Sequence, residues 1–384
     1  MSKKYHIDII TNKKDFKSAF MLSLNSFYPE SLPEKAIKIW ENKWFHEPHI
    51  HLSNVYLMRS KHKHILGGLR TVRRKIFRNE QEFKVVGIAE TFVNSKFQGQ
   101  GIAKALTESV CDKNKEGDAD LLFIVSRKNI DYFYLKHQGY GLGSYSKVLI
   151  KNIKDDDKKY IICETKKRNL EVLMNIYNYS YENCFGRIER KSKYWNFLLD
   201  SMSLRNLKLY NLMDENYIVG YFALAGNEIV EIGALPNYDY RQIIVDIYNQ
   251  FSDLFENQFL SLNIPKNHKL FSNDLFFDIT ISNRECYYGG HIIKIINMKN
   301  VSSMAEKRLK KEYSKLNISS LEFNVDELII NWDGKKVKID FPENHEPSYQ
   351  ETTFLLGSQQ VYANTNQFAN IGCLPFSISR LDEF

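Results

Sequence analysis

The chain has 384 residues, too many for one ordinary core, and its 43% hydrophobic and 26% charged residues predict a soluble globular protein of two or three domains. A formal charge of +7, with basic residues spread along the chain and no segment patterned as a recognition helix, argues against a nucleic-acid partner, and none is expected. No apolar run approaches the roughly 20 residues of a membrane span, and no apolar signal core follows Met1-Ser2-Lys3-Lys4, so neither membrane insertion nor export is expected.

From Tyr5 to about Lys151 the pattern predicts two helices, a strand hairpin, a long strand, a helix, a strand, a helix and a strand. Leu24–Trp44 has helical spacing broken by Pro29 and Pro33. Val55–Ser60, Ile65–Phe77 and Phe83–Val93 predict strands, Ile102–Val110 an amphipathic helix, and Leu121–Ser126 a buried strand. Strands and helices in that order imply a mixed α/β sheet.

A second unit follows the Lys/Asp-rich segment Asn152–Lys159. Leu170–Tyr179 and Ser192–Leu199 predict helices, and Leu207–Met213 with Tyr217–Ala225 a hairpin. Then come strand Ile229–Leu235, helix Tyr240–Phe255 and strand Leu260–Ile264. The order repeats the first unit, a degenerate internal repeat. From about Val301 the chain predicts a basic helix at Ser303–Tyr313, a hairpin across Asp333-Gly334, a helix near Tyr349–Tyr362 and an extended tail. The domains expected are 1–152, 153–297 and 298–384.

Cys111, Cys163, Cys184, Cys286 and Cys373 lie far apart without a C-x-x-C, which predicts reduced thiols and a cytoplasmic location. His46, His49 and His51, with His62 and His64, lack the compact four-ligand set of a zinc site, so no metal is expected.

The chemistry-bearing segment is Phe97-Gln98-Gly99-Gln100-Gly101-Ile102-Ala103, between a predicted strand and a predicted helix. Glycines there let backbone N–H groups converge on an anion, with the positive end of the helix dipole behind them. The turn has no P-loop lysine and does not fit G-x-G-x-x-G, so a pyrophosphate would be held by backbone amides alone.

Gln98-x-x-Gly101-x-Ala103 resembles the acetyl-CoA signature of the GNAT superfamily of N-acetyltransferases, and Tyr134-Leu135-Lys136-His137-Gln138-Gly139-Tyr140 resembles its second motif. Ile176-Tyr177 through Phe185-Gly186-Arg187 to Trp195, His291–Val301, and the closing Leu374-Pro375 with Glu383-Phe384 resemble the Eis (enhanced intracellular survival) family, over essentially the whole chain. The resemblance implies an α/β (α+β) protein of tandem GNAT folds followed by a sterol-carrier-like C-terminal domain. It further implies hexamers and transfer of acetyl from acetyl-CoA to amines such as those of aminoglycosides. The second unit has Leu235-Pro236-Asn237-Tyr238-Asp239-Tyr240-Arg241 at the equivalent turn, without glycine, so only the first unit is expected to be active.

By resemblance, the cofactor lies on Phe92 and Val93 and on Gln98, Gly99, Gln100, Gly101, Ile102 and Ala103. Tyr134 protonates the departing thiolate, with Tyr132 as the alternative. The carboxylate of Phe384 takes the amine proton, with Glu90 and Glu383 as alternatives. Phe27, Glu30 and Trp40 line the acceptor pocket, where acid and aromatic faces would suit a polyamine. Direct attack of the amine on the thioester leaves Cys111 no required role. The competing expectation is a scaffold or apolar-ligand binder with a vestigial acetyltransferase unit.

Overall fold

The computed structural model describes residues 5–115, 118–126, 133–135, 139–151, 158–165, 169–251, 253, 259–272, 280–358, 369, 376–377, 379 and 382. The first unit opens with β1 (Tyr5–Ile9) and α1 (Lys13–Phe27), whose N-cap Asn12 accepts from the Asp15 N–H at 2.9 Å. Pro29 and Pro33 keep the next helix, α2 (Glu34–Glu41), separate, and α2 runs on into a π-helical turn at Asn42–His46. Strands β2 (Val55–Ser60), β3 (Ile65–Arg78) and β4 (Gln81–Val93) form an antiparallel meander. Helix α3 (Ile102–Lys115) then crosses over to β5 (Leu121–Val125), parallel to β4.

After β6 (Tyr140–Lys151) the second unit runs β7 (Ile161–Glu164), α4 (Leu170–Ser180), the short β8 (Arg187–Ile188) and α5 (Ser192–Met202). It continues through β9 (Lys208–Asp214), β10 (Tyr217–Ala225), β11 (Glu228–Ala234), α6 (Tyr240–Phe251), β12 (Phe259–Pro265) and β13 (Thr280–Ile295). The C-terminal region has α7 (Met298–Tyr313) and a separate three-stranded antiparallel sheet of β14 (Leu321–Val325), β15 (Leu328–Trp332) and β16 (Val337–Asp340). Helix α8 (Tyr349–Leu356) follows.

Among the described residues, the strands of both units join in one 13-stranded sheet of order β1-β2-β3-β4-β5-β13-β6-β12-β11-β10-β9-β7, with β8 on β3. Its middle is an exchange. The end of β13, His291–Ile295, pairs with β5 of the first unit, whereas β6 pairs through Tyr145–Lys151 with β12 of the second. Each unit is therefore completed by a strand that also serves the other, and the expected boundary at 152/153 separates units that share their central strands. Two helix limits also differ from expectation. Helix α7 starts at Met298 because Asn297 caps it, accepting from the Asn300 N–H at 3.1 Å. Helix α8 ends at Leu356 because Gly357, at φ +59°, turns the chain left-handed.

The core lies on both faces of this sheet. In the first unit, Val86, Ile88, Ile102, Leu106, Val110 and Tyr134 pack on the α3 face. Phe16, Phe20, Trp40, Trp44 and Phe92 pack on the α1/α2 face. Phe83, Val85 and Phe123 at the other end of the strands share a cluster with Leu309, Phe323 and Phe354, which fastens the C-terminal region to the first unit.

Candidate functional site

The register of β4 makes an opening. Its residues Val85–Ile88 pair with Leu121–Ile124 of β5, and from Ala89 to Val93 the ladder to β5 stops. The break coincides with a bulge. Arg70 faces Glu90 and Thr71 faces Ile88, which leaves Ala89 as the extra residue. The bulge flips the alternation, placing Thr91 and Val93 on the α3 face and Glu90 and Phe92 on the α1/α2 face. The Asn94 N–H reaches Leu66 O at 2.9 Å, toward β3, so the N–H groups of Thr91 and Val93 point the opposite way, into the gap. Phe92 therefore spends its backbone on the β3 ladder and contributes a buried ring, which corrects the expectation that its backbone holds the cofactor.

Two glycines of β3 let this end of β4 lie close. A Cβ on Gly67 would meet Phe92 O at 2.7 Å and Ile102 Cγ2 at 3.0 Å, and one on Gly68 would meet the Phe92 ring at 2.6 Å. The chain then turns through Ser95–Phe97, where Asn94 Oδ1 accepts from the Lys96 N–H at 3.1 Å. Gly99 and Gly101 follow at φ +76° and +75°, and a Cβ at either would meet nothing within 4 Å. Glycine is used here for backbone conformation, with open space above it. Gln98, Gly99, Gln100 and Gly101 are exposed, Ile102 is buried and Ala103 half-buried. Gap, exposed turn and helix N-terminus thus form one continuous surface able to take a thioester arm and a pyrophosphate.

Tyr134 stands at the gap. It is buried, and its hydroxyl donates to Thr91 Oγ1 at 3.3 Å. Burial raises its pKa above the ordinary phenol value, the Thr91 contact opposing, so the group stays protonated at neutral pH. Its neighbour Leu135 is exposed. Tyr132 lies outside the described residues. Cys111 is buried in α3 and burial pushes its thiol up to about 11, which suits packing and not nucleophilic attack.

Glu90 is corrected. It is buried against Arg70, with Oε1 accepting from Nη2 at 3.0 Å and Oε2 from Nε. Burial would raise its pKa, yet the Arg70 charge and hydrogen bonds hold it below the usual carboxylate range, so it is a locked counter-ion and not a base facing an acceptor. Of the expected acceptor residues, Trp40 is buried, with its N–H on Ser23 Oγ at 3.2 Å and its ring 5.2 Å from that of Phe27. Trp40 and Phe27 are thus a packing pair. Glu30 is exposed in the α1–α2 link. Glu383 and Phe384 lie outside the described residues.

Between the units is a cavity of about 30 Å³, lined in part by Lys43, Glu47, Arg70, Arg74, Tyr194 and Phe197. Arg74 donates to Glu47 Oε1 at 2.8 Å and stacks over Tyr194 at 4.7 Å. A buried cluster adjoins it. Arg190, stacked on Tyr177 at 3.9 Å, donates to Glu231 at 2.7 and 2.6 Å and to Asp382 at 2.9 and 2.7 Å.

The second unit repeats this geometry with its gap filled. Strands β11 and β12 pair only at Glu228–Ile229, Val230 is the bulged residue, and Glu231 follows it as Glu90 follows Ala89. Gly220 packs under Gly233 O at 2.7 Å as Gly67 does under Phe92 O, and the Leu235 N–H reaches Val219 O at 2.8 Å as Asn94 does Leu66 O. The N–H groups that face the gap are taken. Ile232 donates to Tyr181 Oη at 3.4 Å, and Ala234 to Ser180 Oγ at 3.0 Å and Tyr240 Oη at 3.1 Å. His268 fills the rest, its ring 4.5 Å from Tyr181 and 5.7 Å from Tyr240.

Sequence reasoning missed Gly67-Gly68, Thr91, Arg70, Arg190, Glu231 and Asp382. A glycine pair inside a strand pattern is a signal of close backbone approach and was available. The ion-pair partners are far apart in sequence and carried none.

The fold is that of the GCN5-related N-acetyltransferases. A structure of that class from Anabaena variabilis covers 98% of this chain and 98% of its own at 13% identity and TM-score 0.63. More narrowly, Eis1 from Mycobacterium abscessus covers 97% of this chain and 99% of its own at 12% identity and TM-score 0.64. A conserved protein from Enterococcus faecalis matches 89% of this chain and 86% of its own at 14% identity and TM-score 0.65. No family profile and no curated protein matches the sequence.

Proposed function

We propose that the chain is an acetyl-CoA-dependent N-acetyltransferase whose first unit carries the reaction and whose second does not. The observation that carries this reading is the open gap beside Thr91 and Val93, continuous with the Gly99/Gly101 turn and bordered by the Tyr134 hydroxyl. The turn amides and the N-terminus of α3 would hold the pyrophosphate. The Val93 N–H would polarise the thioester carbonyl, a placement typically worth a few kcal/mol in the transition state. As the acceptor nitrogen bonds to the carbonyl carbon and the C–S bond breaks, the sulfur leaves as thiolate, of pKa about 8.5 when free. Tyr134, protonated in its buried site, would give it a proton. With Glu90 committed to Arg70, the acceptor's proton falls to the tail carboxylates, Phe384 first and Glu383 second.

The acceptor is proposed as a small-molecule amine. Aminoglycosides head the panel because the sequence motifs resemble those of the Eis family, along with simple polyamines. The sterol-carrier-like character of the C-terminal region and assembly into hexamers belong to the same proposal. The scaffold alternative describes the second unit well, since its gap is filled; the first unit's open gap argues against it.

The test is thiol release from acetyl-CoA by the purified protein, with and without the amine panel, repeated on a variant lacking Phe384. Acceptor-dependent release, lost with the terminal residue, is the expected result. Acetyl-CoA binding without release from any amine would discard the acceptor class, and absence of binding would discard the enzyme.

A further inference from the structure

Four described residues of the C-terminal tail, Phe376, Ser377, Ser379 and Asp382, are each held by partners elsewhere in the chain. Phe376 is buried, bridging Gly143 and Phe185, with its ring 5.0 Å from that of Phe185 and 5.9 Å from that of Phe123. Its carbonyl accepts from the Ser144 N–H at 2.8 Å, and the Ser377 N–H donates to Phe185 O at 2.8 Å. Gly186, at φ +105°, has no room for a side chain because a Cβ would lie 2.1 Å from Ser377 O. Ser379 Oγ then donates to Glu231, and Asp382 enters the Arg190 guanidinium.

Arg190 is the hub of these contacts. Its side chain is fully buried, as are those of Glu231 and Asp382 to within 1%. It lies between the rings of Tyr177 at 3.9 Å and Trp195 at 4.8 Å. The two contacts are unequal in kind. Glu231 is local to the second unit and already satisfies Arg190 through a two-pronged pair, whereas Asp382 comes from the far end of the chain and adds a second carboxylate to the same cation. A buried carboxylate added to a cation that already has a partner is costly unless something is gained. What it secures is the position of the tail beside the inter-unit cavity, next to Tyr194, on which the Asp382 charge acts and over which Arg74 stacks.

We propose that Arg190 is a positioning residue for acetyl transfer: through Asp382 it fixes the C-terminal tail close to Tyr194, a lining residue of the cavity between the two units, and so sets that side of the molecule for the acceptor. The kinetic part of this inference rests on the acetyltransferase reading; the lock itself does not. Release of Asp382 would free the tail from Arg190 near Tyr194, so acceptor binding suffers while the proposed acetyl-CoA surface, on the α3 face of the first unit, is untouched.

The decisive variant is Asp382→Ala, which deletes the tail's hold and leaves the Arg190–Glu231 pair intact. Asp382→Asn is its control, because the amide oxygen still accepts from Arg190 without the second negative charge. Hydrogen exchange of the C-terminal peptide in the full-length protein reads the lock directly, and acetyl-CoA affinity and the acceptor KM read its consequence. In Asp382→Ala the terminal amides are expected to exchange at least about tenfold faster, with acceptor KM raised about tenfold or more and acetyl-CoA affinity unchanged. Asp382→Asn is expected to restore both. Unchanged exchange in the alanine variant would overturn the lock whether or not an acceptor is known. Faster exchange with an unchanged acceptor KM would overturn its role in selection. Loss of acetyl-CoA affinity along with the tail would show that the segment supports the whole fold and would overturn the positioning role.

Discussion

The two units of this chain carry the same gap, and among the described residues only one of them is open. In each, a parallel strand pair parts at a bulge, a glutamate follows the bulge into an arginine, and a glycine in the neighbouring strand admits close backbone approach. What differs is the treatment of the gap-facing amides. In the first unit the strand leads into an exposed turn with two left-handed glycines, whereas in the second the turn is shorter and Ser180, Tyr181, Tyr240 and His268 occupy the space. Buried backbone amides must find partners. The second unit supplies them from its own side chains; the first leaves them facing the gap, where the proposed cofactor would satisfy them. The difference therefore lies in who satisfies the amides, the fold being shared.

The largest effect should come from Gly101→Asp. The left-handed backbone at φ +75° costs an L-residue roughly 1–2 kcal/mol, and the carboxylate would sit where a pyrophosphate is to bind. Acetyl-CoA affinity, measured by calorimetry, is expected to fall by about 1000-fold or more with an unchanged circular dichroism spectrum. Retained affinity would remove the distinction between the two gaps at its root. Tyr134→Phe comes next, with turnover lowered about 100-fold while acetyl-CoA affinity is kept. Because burial holds the Tyr134 pKa above the ordinary phenol value, its proton is present across the neutral range. The wild-type rate should therefore show no loss from this group until the pH exceeds roughly 10, and any alkaline limb due to it should vanish in the variant.

The sequence made the open gap far more legible than the closed one. Gly99 and Gly101 announce their turn because glycine is the residue that takes those backbone angles freely, and Tyr134 stood near a recognisable Gly139-aromatic pair. The repeat of element order was readable from hydrophobic periodicity, as were most strand and helix positions. The strand exchange was not, because β6 and β13 have ordinary strand patterns and pairing partners leave no local mark. Glu90 shows the same limit. Only the structure places Arg70 across the ladder, which turns a candidate base into a counter-ion. The plug in the second gap was half visible: lack of glycine in the turn could be read, while the approach of Ser180, Tyr181 and His268 from separate elements could not.

A smaller effect tests the closed gap through acid stability. His268 is buried neutral, with desolvation lowering its pKa to about 3, against roughly 6.5 in an unfolded chain. The depressed value means that its contribution to stability is complete above about pH 6.5 and is lost as the pH falls toward 3. Over that window the slope due to this one group approaches about 1.4 kcal/mol per pH unit. Denaturant unfolding of His268→Gln between pH 7 and pH 4 should show a shallower loss than the wild type, even where the variant is less stable at pH 7. Parallel slopes would mean that the imidazole is not held neutral in the gap.

The smallest effect is expected from Tyr240→Phe, and it separates a plug from a closed door. The Ala234 amide keeps Ser180 Oγ at 3.0 Å when the Tyr240 hydroxyl is removed, so the loss is one partner of a shared bond and the hydroxyl's own donation to Ser180 Oγ at 3.0 Å. Stability should fall by about 1 kcal/mol, within reach of a denaturant midpoint. No acetyl-CoA binding should appear in the second unit, because the turn there still lacks left-handed glycines and Tyr181 still holds the Ile232 amide. A second equivalent of bound acetyl-CoA in this variant would mean that side-chain hydroxyls alone keep the second unit silent. The turn would then matter less than the occupied amides, and the ordering of the two causes argued above would be reversed.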